Sequence, residues 1–177
     1  MTSEKMQSVR LEKVTLNIGA GEGGDKLERA KTLLQRLTEH TPIITLARER
    51  NATWKLKKGD PIGVKVTVRG KPAAELLKKA LTAVESKVKA SSFDSGGNVA
   101  FGVREYIDFP GAKYDAALGM MGFDVCVTLA KAGRRVALRR IRRAHVPKKQ
   151  RVSKSEAQAF MSSSFGAKVY EEGEEAA

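Results

Sequence analysis

The sequence predicts an α+β fold in which an antiparallel sheet carries helices on one face and leaves a second, polar face open. Three observations lead there. Residues 13–18, 64–69, 99–104 and 123–129 alternate apolar and polar side chains with the period of a half-buried strand. Residues 25–38 and 72–88 instead place apolar residues at helical spacing. The polar sides of the alternating runs hold cations, hydroxyls and amides, which suit a face that binds a ligand.

Composition sets the outer limits. The 177 residues fit one domain with extensions. Lys and Arg total 33 against 20 acids, a net charge of +13, and a surplus of that size implies a polyanion or an anionic membrane surface as partner. There is no run of about 18 apolar residues and no secretory-type N-terminus, so a soluble intracellular protein is expected. Cys126 is the single cysteine, excludes an internal disulfide and fits a reducing compartment. His40 and His145 are isolated, with no metal-spaced set and no nucleophile motif beside them, so no catalytic residue, metal or cofactor is expected.

Taken in order, residues 1–8 are polar and expected to be mobile. A first strand follows, with Val14, Leu16 and Ile18 on one face and Lys13, Thr15 and Asn17 on the other. Gly19, Gly21 and Gly24 then give a GxGxxG spacing between strand and helix. One reading is a nucleotide-binding turn, the other a flexible connection; Glu22 and the half-polar strand argue against the first. Asp25 and Glu28 read as a capping box opening a helix to about Thr38, with Leu27, Ala30, Leu34 and Leu37 on its apolar stripe.

The segment from Pro42 to Gly70 is the centre of the chain: two β-type runs around a basic connection. In the second run Val64, Val66 and Val68 face one way, Lys65, Thr67 and Arg69 the other. The connection contains Arg48, Arg50, Lys55, Lys57 and Lys58 around the only tryptophan, Trp54. It reads either as an RNA contact combining phosphate neutralisation with stacking, or as a solvated hairpin with a half-buried Trp anchor.

Pro72 suits a first helical turn, and Leu77, Leu81, Val84 and Val88 predict a second amphipathic helix. Gly96, Gly97 and Asn98 form a turn into a strand with Val99, Phe101 and Val103, and Phe109, Pro110 and Gly111 break it. The next strand, 122–129, sets Phe123, Val125, Val127 and Leu129 opposite Asp124, Cys126 and Thr128. Lys131, Ala132 and Gly133 look like a hairpin turn into a strand holding Val136 and Leu138. From 134 to 151 stand nine basic residues (Arg134, Arg135, Arg139, Arg140, Arg142, Arg143, Lys148, Lys149 and Arg151) and no acid. Such self-repulsion favours an arm open to a polyanion over a merely solvated face, and the crowding of arginines around Ile141 leaves no apolar face for a membrane. Ser153 and Glu156 cap a last helix, 153–165, and the acidic end, 170–177, is expected to be disordered. The domain proper is thus 9–169. A sheet of this kind is RRM-like or ferredoxin-like, and its open face is a platform for RNA.

Four stretches resemble one family: RLEKVTLNIGAGE (Arg10 to Glu22), PIGVKVTVRG (Pro61 to Gly70), SSFDSGGNVAFGVREYIDFPGAKYD (Ser91 to Asp115) and GMMGFDVCVTL (Gly119 to Leu129). In order and extent they are similar to the universal large-subunit ribosomal protein five family, which binds 5S rRNA. The resemblance implies a cytoplasmic, non-catalytic constituent of the central protuberance. It assigns Asn17, His40 and Thr67 to 5S rRNA, beside the cations Lys65 and Arg69; glutamine is frequent in the family where His40 stands. It assigns Arg50, Asn51, Ala52, Thr53, Trp54, Lys55 and Leu56 to the elbow of the peptidyl-site tRNA, with tryptophan where phenylalanine is common. It further implies large-subunit rRNA for the arm, a small-subunit head protein across an intersubunit bridge, and other central-protuberance proteins. The lack of the bacterial N-terminal helical extension and the additional 134–165 region look like the archaeal or eukaryotic branch.

Overall fold

The computed structural model describes residues 7–21 and 23–171. Strand β1 (Val9–Gly19) is followed by α1 (Asp25–Thr38), β2 (Ile43–Leu46), β3 (Pro61–Val68), α2 (Lys71–Ala83), β4 (Lys87–Lys89), β5 (Asn98–Val103), β6 (Phe123–Lys131), a single turn α3 (Arg135–Leu138), α4 (Lys154–Phe165) and β7 (Lys168–Tyr170). The main sheet has the order β2-β3-β1-β6-β5 and is antiparallel throughout. Strands β4 and β7 make a separate parallel pair, with Val88 opposite Val169.

One face of the sheet is the core. Val14, Leu16, Ile18, Val64, Val66, Val68, Val125, Val127 and Leu129 are at most 5% exposed, as their period-two spacing requires. Against them lie Leu27, Ala30, Leu33 and Leu34 of α1 and Ala73, Leu76, Leu77, Ala80 and Leu81 of α2. Helix α4 adds Ala157 and Met161, and contacts β1, β5 and β7. Its capping box is complete: Ser153 Oγ accepts from Glu156 N at 3.3 Å, and Glu156 Oε2 accepts from Ser153 N at 3.0 Å.

Several expectations are corrected. Asp25 does not cap α1; Gly24 holds the N-cap position, and Asp25 and Glu28 lie inside the first turn, where their charge complements the helix dipole. The helical stripe ends at Ala83, because Glu85 and Ser86 take positive φ (53° and 58°) and turn the chain so that Val88 enters β4. Val136 and Leu138 form no strand: the chain after β6 makes the helical turn α3, leaving Leu138 64% exposed. Tyr170, assigned to the acidic tail, is the last residue of β7. Glu171 is exposed past the strand, and the rest of the expected tail, 172–177, with the N-terminal residues 1–6, lies outside the described residues.

Candidate nucleic-acid interface

Strand register defines the open face. Lys65 of β3 lies opposite Asn17 of β1, which lies opposite Asp124 of β6 and in turn Gly102 of β5; on the other side Lys65 meets Ile43. The next row runs Thr67, Thr15, Cys126, Ala100, and the third Lys13, Thr128, Asn98. The rows thus carry cations near the β3 side, amides and hydroxyls in the centre, and one carboxylate. Thr15 Oγ1 and Thr67 Oγ1 share a hydrogen bond of 3.2 Å across the strands. Among the described residues, neither the Asn17 amide nor the Lys65 ammonium has an intramolecular partner, so both retain their donors for a ligand.

Cys126 contributes no chemistry to this face. It is half-buried, and burial, with the Asp124 charge as a smaller cause, pushes its thiol pKa up, which keeps it protonated.

Glu12 carries no signal in the alternation pattern itself, yet it organises one end of the face. Leu11 pairs with Leu129 while Lys13 pairs with Thr128, so Glu12 is the extra residue of a β-bulge. There its carboxylate lies 2.8 Å from Arg134 Nη1 and 3.9 Å from Arg69 Nη1. Its Oε2 is buried and off the guanidinium N–H directions, so the shorter contact is an ion pair without a hydrogen bond. One anion thereby stands between the cation just past β3 and the first arm residue. The signal that could have found it is the break of parity at Leu11, an apolar residue that simple alternation would put on the polar face.

The β2–β3 connection is structured as a hairpin tip. Asn51 and Leu56 exchange backbone hydrogen bonds of 3.0 and 2.9 Å, and Asn51 Oδ1 accepts from the N–H groups of Thr53 (3.0 Å) and Trp54 (3.3 Å). Lys55 closes the turn with φ of 53°. Trp54 is 71% exposed, which removes the reading of a half-buried anchor: the ring is presented, with Arg50 and Lys55 exposed beside it. His40 falls outside the rows, on the connection from α1 to β2, with Nδ1 2.6 Å from Thr38 O.

The arm folds back instead of extending. Gln150 Nε2 donates to Ala132 O (3.0 Å), Ala144 N to Val136 O (3.2 Å), and Arg151 Nη2 lies 2.7 Å from His145 Nε2. Arg139 Nε donates to Arg142 O at 2.7 Å. Arg135, Arg139, Arg140, Arg142, Arg143, Lys148 and Lys149 all stay exposed. The arm rests on Val152, which is buried against Gly97; a Cβ on Gly97 would come within 2.6 Å of Val152 Cγ1.

The glycine turn does not make a dinucleotide site. The amides of Ala20 and Gly21 both donate to Ile62 O, at 3.0 and 3.1 Å, so these two N–H groups of the turn are not offered to a pyrophosphate. The neighbours of β1 are antiparallel, whereas that motif belongs to a parallel βαβ unit.

Comparison with known proteins identifies the family. A family model for the C-terminus of the ribosomal L5 family matches residues 61–162, and one of Ribosomal protein L5 matches residues 4–57. A Large ribosomal subunit protein uL5 of Sulfurisphaera tokodaii is 49% identical over 171 residues, covering 96% of this chain and 97% of that protein. Its namesake in Methanococcus maripaludis is 47% identical over 172 residues (96% and 95% of the two chains), and that of Methanosphaera stadtmanae 43% over 164 (93% and 98%). With both halves of the chain matched and these archaeal relatives aligned over almost their whole length, the chain belongs to the ribosomal protein L5 family.

Proposed function

We propose that this protein is a structural, non-catalytic constituent of the large ribosomal subunit that binds 5S rRNA through the open face of its sheet. The observation that carries this reading is the row Lys65–Asn17–Asp124 beside the Thr67–Thr15 pair. Lys65 and Arg69 neutralise phosphates, which sets affinity; Asn17, the threonine hydroxyls and Asp124 supply the hydrogen bonds that read 2′-hydroxyls and base edges. His40, just past the end of α1, contacts the same RNA at the periphery. The hairpin tip from Arg50 to Leu56 presents Trp54 to the peptidyl-site tRNA, the arm engages large-subunit rRNA, and protein contacts within the central protuberance and across to the small-subunit head complete the assembly. The protein works in the cytoplasm, within the ribosome.

The test is a gel-shift titration against matched 5S rRNA and a folded control RNA of equal length, at several salt concentrations. Preference for 5S rRNA that persists as salt rises is the expected result. Equal binding to both RNAs, lost together with salt, would leave only nonspecific electrostatics and refute the specific reading.

A further inference from the structure

By folding back over the end of β6, the arm encloses a cleft of about 460 Å³, within the ~300–1,000 Å³ typical of small-molecule sites. Its lining mixes two chemistries: Ala137, Val146 and Val152 are apolar, while Arg134, Arg143 and Arg151 bring guanidiniums. No carboxylate lines it among the described residues. Asn98 also lines it; its amide donates to Asp94 Oδ2 at 3.2 Å, and its carbonyl oxygen can still accept. A bare phosphate has no use for the apolar lining, and an apolar ligand has none for three guanidiniums. An unstacked nucleotide uses both: the base lies against the apolar side chains or a guanidinium plane, with its edge on Asn98, and the phosphate meets the arginines. The cleft is also tied before any ligand arrives, by Gln150 to Ala132 (3.0 Å), Arg134 to Glu12 (2.8 Å) and Val152 against Gly97.

We propose that this cleft takes one unstacked nucleotide from a bound RNA strand. The source follows from the other cations of the same arm, Arg135, Arg139, Arg140, Arg142, Lys148 and Lys149, which are all exposed. They match the phosphates of a continuing strand, whereas a free mononucleotide has none to offer them. The inference rests on the reading of the arm as an RNA contact.

The experiment is NMR titration of the full-length protein with the four ribonucleoside 5′-monophosphates, with ribose 5-phosphate as the baseless control, repeated with large-subunit rRNA present. At least one mononucleotide shifts the Val146, Val152 and Asn98 resonances saturably, about tenfold more tightly than ribose 5-phosphate. Prior rRNA binding abolishes the response. Val146→Trp, which fills the cleft, removes the titration, and Arg143→Ala, at an exposed position, weakens it severalfold without disturbing the fold. Absence of shifts, equal response to ribose 5-phosphate, or undiminished mononucleotide binding in the rRNA complex would each overturn the proposal. These outcomes are separate from the 5S rRNA test, which reads the sheet face: either can fail while the other holds.

Discussion

Replacing Lys65 with alanine isolates the electrostatic part of sheet-face binding. Lys65 is exposed in the middle of the cationic edge and has no carboxylate partner among the described residues. Its full charge is therefore available to a phosphate. One lost contact lowers the slope of log K against log salt by ~0.7–0.9. Multiplied by the logarithm of salt relative to 1 M, that predicts about four- to sixfold weaker 5S rRNA binding at about 0.15 M salt, and about eight- to fifteenfold at about 0.05 M. Arg69→Ala should do less, since Glu12 already lies 3.9 Å from that guanidinium. Lys168→Ala, on β7 outside the main sheet, serves as control. Fluorescence anisotropy with labelled 5S rRNA across the salt range reads both slope and affinity, and Lys65→Ala should leave stability within about 0.5 kcal/mol. An unchanged slope, or the same change from Lys168→Ala, would show that phosphates do not meet this face.

Further outcomes follow from other parts of the molecule. Trp54→Ala should shift unfolding free energy by no more than about 0.5 kcal/mol, because the ring is 71% exposed, while tRNA binding weakens by ~1–3 kcal/mol if the ring stacks on a base; a fall in melting temperature without loss of tRNA affinity would reverse that assignment. Ser153→Ala should cost about 1 kcal/mol in urea unfolding, the usual worth of an N-cap, since it removes the acceptor for Glu156 N. The Lys131 ammonium, then the Ser153 N–H, hold the Glu156 carboxyl below its ordinary value of 4.5, and Arg36 does the same for Asp115 below 3.8. Both groups release protons more readily folded than unfolded, so their contribution is complete above about pH 4.5 and fades as pH falls through the depressed folded values; urea midpoints at successive pH values should decline there, and less so in Glu156→Gln. Gly97→Ala combines a φ of 73° with a Cβ 2.6 Å from Val152, and should destabilise by ~1–3 kcal/mol and speed proteolysis within the arm.

What could be read from the chain divides along the range of the interactions involved. Val14, Leu16 and Ile18, or Phe123, Val125 and Val127, announce their face because pleating enforces period two wherever one side is buried. Strand order is a matter of distant pairing, and nothing local to β1 says that it lies between β3 and β6. Val84 and Val88 continued a helical period by coincidence, while the break lay in the backbone of Glu85 and Ser86, neither of them glycine. Val136 and Leu138 are two apolar residues spaced alike for a strand or a turn, and no third residue arbitrates. Trp54 stayed open between exposure and half-burial, since its size suggests burial and only the Asn51 turn shows it at a tip. The three cationic elements of the proposed interface were legible from charge alone; the cleft was not, because it is assembled from the 96–98 turn, the end of β6 and the arm.

The bulge at Glu12 divides β1 into two stretches of opposite phase. Beyond it, Lys13, Thr15 and Asn17 turn their side chains toward the open face; before it, Val9 and Leu11 serve the core. Deleting that single residue would restore plain alternation and leave Leu11 on the core side and Lys13 on the open one, so the loss would fall on the local bend of the strand and on the tether shared by Arg69 and Arg134. The bulge thus lets the strand carry an anion at the end of its open face without moving any core side chain out of place.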